Sequence, residues 1–92
     1  MTKIIPFIVK ITYEEASKDA PFVAYSPEFD VASAGLTKAQ AKKNLSEALS
    51  LVLAGAKEDG NLSEILEEAG FSEKEGQFHR QKIEIEELSV HI

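Results

Sequence analysis

The chain has 92 residues, with ten Lys and Arg against sixteen Asp and Glu, a net charge of −6, and neither Cys nor Trp. That length accommodates one small domain, burying roughly two-thirds of the surface its unfolded form exposes, and the missing cysteines exclude a disulfide framework, a Cys-ligated zinc and a thiol nucleophile. A surplus of acid opposes free-standing binding to nucleic acid or anionic lipid, because neutralising phosphates takes clustered Lys and Arg, and it leaves a basic protein as the favoured kind of partner.

In chain order, the apolar run Ile4 to Val9 ends at Lys10, too short for a signal-peptide core or a membrane span, so a cytoplasmic protein is expected. Ile5, Phe7, Val9, Ile11 and Tyr13 form an apolar face at strand period and predict a first strand over 5–13. Pro6 lacks an N–H, so this strand is an edge at its start or pairs only beyond it. The polar stretch from Glu14 to Pro21 reads as a turn, and Phe22 to Tyr25 as a second strand. Pro27 then presets a tight connection, Ser26-Pro27-Glu28-Phe29-Asp30. Val31 to Ala34 fits a third strand, ended by Gly35.

Thr37 stands three residues before Gln40, the spacing of a reciprocal capping box. The helix that starts there has Ala41, Leu45, Ala48, Leu49 and Val52 on one face, with Gly55 or Gly60 as its stop. Asn61 and Glu64 repeat the cap signal for a shorter helix whose Leu62, Ile65, Leu66 and Ala69 face inward. Phe71 to Arg80 is polar, contains Gly76, and reads as a loop. Beyond it Ile83 and Ile85 alternate with glutamates, and Leu88, Val90 and Ile92 alternate in the opposite phase. A β-bulge at Glu86-Glu87 would bring both sets to one face of a last strand that rejoins the sheet. The order β-β-β-α-α-β describes an α+β fold, one antiparallel sheet with a main helix packed on a face.

Few residues suit catalysis. The two histidines are His79, in the polar stretch, and His91, near the end, and no serine sits in a glycine-flanked elbow. A two-metal site needs acids converging from strands and a helix; Glu47, Glu84, Glu86 and Glu87 are available, but the first strand has no acid until Glu14. The five glycines are punctuation rather than a phosphate loop. Lys38, Lys42 and Lys43, without interleaved aromatics, read as a solvated helix face. No catalytic residue, cofactor or metal site is therefore expected. Charge is uneven along the chain, with a net of −2 over residues 1–36, +1 over 37–60 and −5 over 61–92. Acid concentrated in the last third suits steering of a cationic partner, or solubility alone.

The stretch Phe22-Val23-Ala24-Tyr25-Ser26-Pro27-Glu28-Phe29-Asp30-Val31-Ala32-Ser33-Ala34-Gly35, followed by Thr37, Gln40-Ala41 and Asn44-Leu45-Ser46-Glu47-Ala48-Leu49, resembles the HicB-like antitoxin family. The shared features are an aromatic strand leading into Pro-Glu and a large apolar residue, a small-residue strand ending in Gly, a Thr cap and a Gln-Ala helix. Asp30-Val31 stands where many relatives have a glycine. The resemblance implies a partial ribonuclease-H-like fold without its nuclease site, and a domain that binds a small basic mRNA-cleaving toxin and blocks it. In that family a separate C-terminal segment binds the operator; here the last expected strand ends at Ile92, so a stand-alone domain is expected. Together with the net of −5 over residues 61–92, this points to Glu28, Phe29 and Asp30 in the turn and Glu84, Glu86 and Glu87 on the last strand as partner-binding residues, in a self-associating protein. The alternatives left open are an orphan structural or small-ligand-binding oligomer and a residual metal-dependent nuclease.

Overall fold

The computed structural model describes residues 4–92. Its elements are β1 (Lys10–Tyr13), β2 (Phe22–Ser26), β3 (Val31–Gly35), α1 (Lys38–Asp59), α2 (Leu62–Glu68), β4 (Phe71–Lys74) and β5 (Gln77–Arg80). The first three strands form an antiparallel sheet in the order β1-β2-β3, and β4 and β5 form a separate two-stranded sheet. The fold is thus α+β, with the long helix α1 packed on the three-stranded sheet.

Strand alternation decides what faces the helix. The register pairs Ile11 with Ala24 and Ala24 with Ser33, so the even residues of β2 share a face with the odd residues of β1 and β3. Ala24 and Ser26 on that face are buried, and so are Ala41, Leu45 and Leu49, which return every four residues along α1. Phe7, Val9, Phe22, Phe29 and Val31 pack around this first core. The helix lies very close to the sheet: a Cβ at Gly35 would stand 2.6 Å from the backbone nitrogen of Ala41 and 2.9 Å from the carbonyl carbon of Gln40. Asn44 adds a polar tie, its Nδ2 donating to the Ala34 carbonyl at 2.8 Å. A second core gathers Leu66, Phe71 and Phe78, with Ile5, Leu53 and Leu62 against it.

Several expectations are corrected. The regular part of the first strand begins at Lys10 rather than residue 5. The register sets Ile8 opposite Pro27, where β2 has already turned away, and the Ile8 N–H donates to the Glu28 carboxylate instead. The capping box is half formed: Thr37 Oγ1 accepts from the Gln40 N–H at 3.0 Å, while the Gln40 side chain donates to Asn44. Gly60, in the left-handed region at φ 80°, ends α1, so the helix passes through Gly55. On it Val52 is 46% exposed, because over the 22 residues of the helix Leu53 and Ala56 rotate into the interior instead. Asn61 precedes α2 without a side-chain capping bond.

The two largest corrections lie further on. Residues 71–80 are a hairpin, not a loop: Glu75 (φ 52°) and Gly76 (φ 76°) are both left-handed, the geometry of a two-residue type I′ turn, and Phe71 and Phe78 bury one face. The segment expected as the last strand, including Ile83 to Ile92, has no regular secondary structure and is exposed throughout, so neither the β-bulge nor the return to the sheet is formed within the chain. The element order is therefore β-β-β-α-α-β-β. Among the described residues no helix is long and apolar enough to cross a membrane.

Two substitutions check this packing. Gly35→Ala places a methyl group into the backbone of α1, and urea unfolding should show a loss of about 2–3 kcal/mol, the usual cost of overpacking. Glu75→Asn should instead raise stability by about 0.5–1 kcal/mol, because asparagine tolerates the left-handed region better than glutamate; an unchanged or lowered midpoint would contradict the turn assignment.

Candidate functional site

The turn that carries the sequence resemblance is built from β2 and β3. After Ser26 pairs with Val31, four residues, Pro27 to Asp30, reverse the chain. Pro27 fixes its own φ, and Asp30 closes the turn at φ 53°, a conformation that Asp adopts at less cost than most side chains. Glu28 folds back on the domain. Its Oε2 accepts from the Ile8 N–H at 2.8 Å, and its Oε1 accepts from the buried Ser26 hydroxyl at 3.4 Å. The carboxylate therefore continues the β1–β2 ladder beyond the point where the backbone parts. Phe29 turns inward, its ring 5.7 Å from that of Phe71 at an interplanar angle of 16°, and it packs against both cores.

Asp30 alone of the three is exposed. Its Oδ1 accepts from the Tyr25 hydroxyl at 2.8 Å. That bond, with some desolvation and the nearby negative charge, raises the Tyr25 pKa above its ordinary value of 10.0. The sign follows from linkage: the neutral phenol makes the bond, so any stabilisation is complete below the ordinary tyrosine pKa and is lost as pH rises through the higher folded value.

Glu84, Glu86 and Glu87 sit elsewhere, on the exposed segment after β5. The fold fixes the turn acids in place but does not set these three on a strand. The other chemical candidates are spread out. His79 is exposed on β5 and His91 exposed near the end; Glu14, just past β1, and Lys38, Lys42, Lys43 and Glu47 on α1 are also exposed. Among the described residues no three His, Asp or Glu side chains come together as a cation site.

One feature escaped the sequence reading. An open groove of about 630 Å³ runs between the N-terminal extension of β1 and α1, lined by Ile5, Phe7, Leu49, Leu53, Lys57 and Phe78 among others. Its signal was present in part, in the apolar odd positions at 5 and 7, but Leu53 was displaced by the assignment of Val52 to the inner face. No protein-family model, characterised protein or solved structure matches the chain.

The Tyr25–Asp30 bond is directly measurable. In a Tyr13→Phe background, where Tyr25 is the remaining tyrosine, ultraviolet titration should give a phenol pKa that falls when Asp30 is changed to Asn; no change would mean that the bond does not persist in solution.

Proposed function

We propose that the chain is a binding module of the HicB-like antitoxin kind, acting by protein–protein contact rather than catalysis, without a cofactor, in the cytoplasm. The observation that carries this reading is that residues 22–49, where the resemblance lies, form one continuous unit: β2, the Pro27–Asp30 turn, β3, the Thr37 cap and the first half of α1. In this reading the fold is a partial ribonuclease-H-like sheet and helix, and the partner is a small basic mRNA-cleaving toxin. The contact surface is acidic. Glu28 and Phe29 hold the turn that presents Asp30, and Glu84, Glu86 and Glu87 supply charge from an exposed segment that can settle on a cationic surface. The protein self-associates and does not itself bind nucleic acid or membrane.

A second reading, a stand-alone oligomer with no toxin partner, is favoured by the exposed apolar side chains Ile85, Leu88, Val90 and Ile92, which a charge-based contact does not use.

Co-expression with a small basic protein encoded beside it separates the two. The antitoxin reading expects the pair to copurify at low salt and loses the complex in the triple variant Glu84→Lys/Glu86→Lys/Glu87→Lys, whose altered side chains are all exposed. Failure to retain any such partner at low salt would remove the antitoxin reading and leave the oligomer.

A further inference from the structure

The segment after β5 is at odds with the rest of the chain. A folded monomer of 10.1 kDa is expected to expose about 5,300 Å², whereas this chain exposes 7323 Å². Its radius of gyration is 15.4 Å, against about 12 Å for a compact domain of this length. Residues 81–92 are all exposed, and within them Ile85, Leu88 and Val90 are 77%, 83% and 86% exposed. Ile83 and Ile85 recur at strand period, Leu88, Val90 and Ile92 do so in the opposite phase, and a lone strand has no backbone partners of its own.

The sheet has a place for such a strand. The Glu14 N–H donates to the Pro21 carbonyl, which makes residues 14 and 21 a hydrogen-bonded pair; by alternation the peptide groups of Ile11 and Tyr13, and of Val9 before them, point away from β2. Since β1 is an edge strand, these groups face no neighbouring strand among the described residues. The opposite edge differs. By the same alternation the carbonyl of Ala34 points outward from β3, and Asn44 already occupies it. On the extension that leads into β1, Ile5 and Phe7 open the groove that reaches Leu49 and Leu53. A strand added next to β1 would send every second side chain to that face.

We infer that residues 83–92 of one copy add as a fourth strand to the β1 edge of a second copy, with their apolar side chains in its groove, reciprocally. Two such exchanges close on a two-fold axis, so the assembly is a dimer that leaves both β1 edges covered. The areas agree. A β-bulge at Glu86-Glu87 brings both apolar sets to one face. Each buried Ile, Leu or Val carries roughly 60–120 Å² of apolar surface, so the five in each tail give about 600–1,200 Å² over the dimer, with a similar area on the grooves that receive them, within the range of stable interfaces. Charge agrees as well: exposed Lys10 and Lys57 flank the path, and the arriving segment brings Glu84, Glu86 and Glu87. Exchange with a second copy, rather than return to the same chain, is favoured because the segment leaves β5 and projects from its own domain. The inference rests on the self-association in the reading above, but its test uses the chain alone, so its failure leaves capture of a basic partner untouched.

Sedimentation velocity on the full chain should give twice 10.1 kDa, and amide exchange should show protection over 83–92. Ile85→Asp/Val90→Asp alters two side chains outside both cores, so helical circular dichroism should be retained while the mass falls to that of the monomer. A labelled peptide of residues 82–92 should then bind this variant, whose β1 edge has been vacated, as read by fluorescence anisotropy. A monomeric parent, with or without a protected tail, overturns the inference, and so does a dimer that persists in the folded double variant or a variant that does not bind the peptide.

Discussion

The arrangement depends on how closely α1 lies on the end of β3. At Gly35 the strand passes so near the first turn of the helix that no side chain fits between it and the backbone of Gln40 and Ala41. Ala24 on the strand side and Ala41 on the helix side are both fully buried, and their small size extends the close approach along the interface. Once the helix is seated, Leu45 and Leu49 fall onto Val9, Phe22 and Val31 without further choice. Thr37 satisfies one free N–H of the first turn immediately after the strand ends, so the reversal from strand to helix needs only two residues. The 22 residues of α1 then span about 33 Å, which carries Leu53 and the start of α2 to a second, smaller core.

Phe29 and Glu28 couple these two parts. Phe29 packs against both cores, so the turn between β2 and β3 is held from the interior rather than by its own backbone alone. Glu28 accepts from the Ile8 N–H at 2.8 Å and, at a longer 3.4 Å, from the Ser26 hydroxyl; the short bond to a carboxylate is of the stronger, charge-assisted kind, which suits a position where the β1–β2 ladder has run out of backbone. A residue that reads in sequence as free surface acid thus belongs mostly to the framework. The consequence for recognition is a division of roles, with Glu28 and Phe29 fixing the turn and Asp30, already bonded to Tyr25, left at the surface.

Much of the fold was legible because it follows local periodicity. The strands around Phe22–Ser26 and Val31–Gly35, the Thr37 cap and the Ala41-Leu45-Leu49 face were readable from spacing alone. What escaped depends on geometry that spacing does not encode. The hairpin at 71–80 has only Phe71 and Phe78 as apolar signals among polar residues, and Glu75 is an unusual residue for a left-handed turn position, so the stretch resembled a loop. The error at Val52 came from accumulated rotation: a face that is correct at Leu45 and Leu49 drifts over further turns, and Leu53 and Ala56 replace Val52 inside. The segment 83–92 has alternating apolar residues in two phases, yet a strand exists only where an edge receives it, and local alternation does not encode that edge. For the candidate site, the turn was located by its residues, but the inward commitment of Glu28 and Phe29 was not.

The net charge also changes meaning with the structure. Of the acids beyond residue 60, Glu64, Glu67 and Glu68 lie on α2, Glu73 and Glu75 on the hairpin, and Glu84, Glu86 and Glu87 on the exposed segment. The last three are interleaved with or adjacent to the most exposed apolar side chains. Glutamates interleaved with Ile83 and Ile85 make a segment that is soluble while unpaired, and a bulge at Glu86-Glu87 would join its apolar side chains to Leu88, Val90 and Ile92 on one face. Like charges on two such segments oppose their pairing with each other, which directs them to a less acidic edge instead. On the proposed reading, acidity at this end of the chain would select among partners as much as attract them, whether the edge belongs to a second copy or to a basic protein.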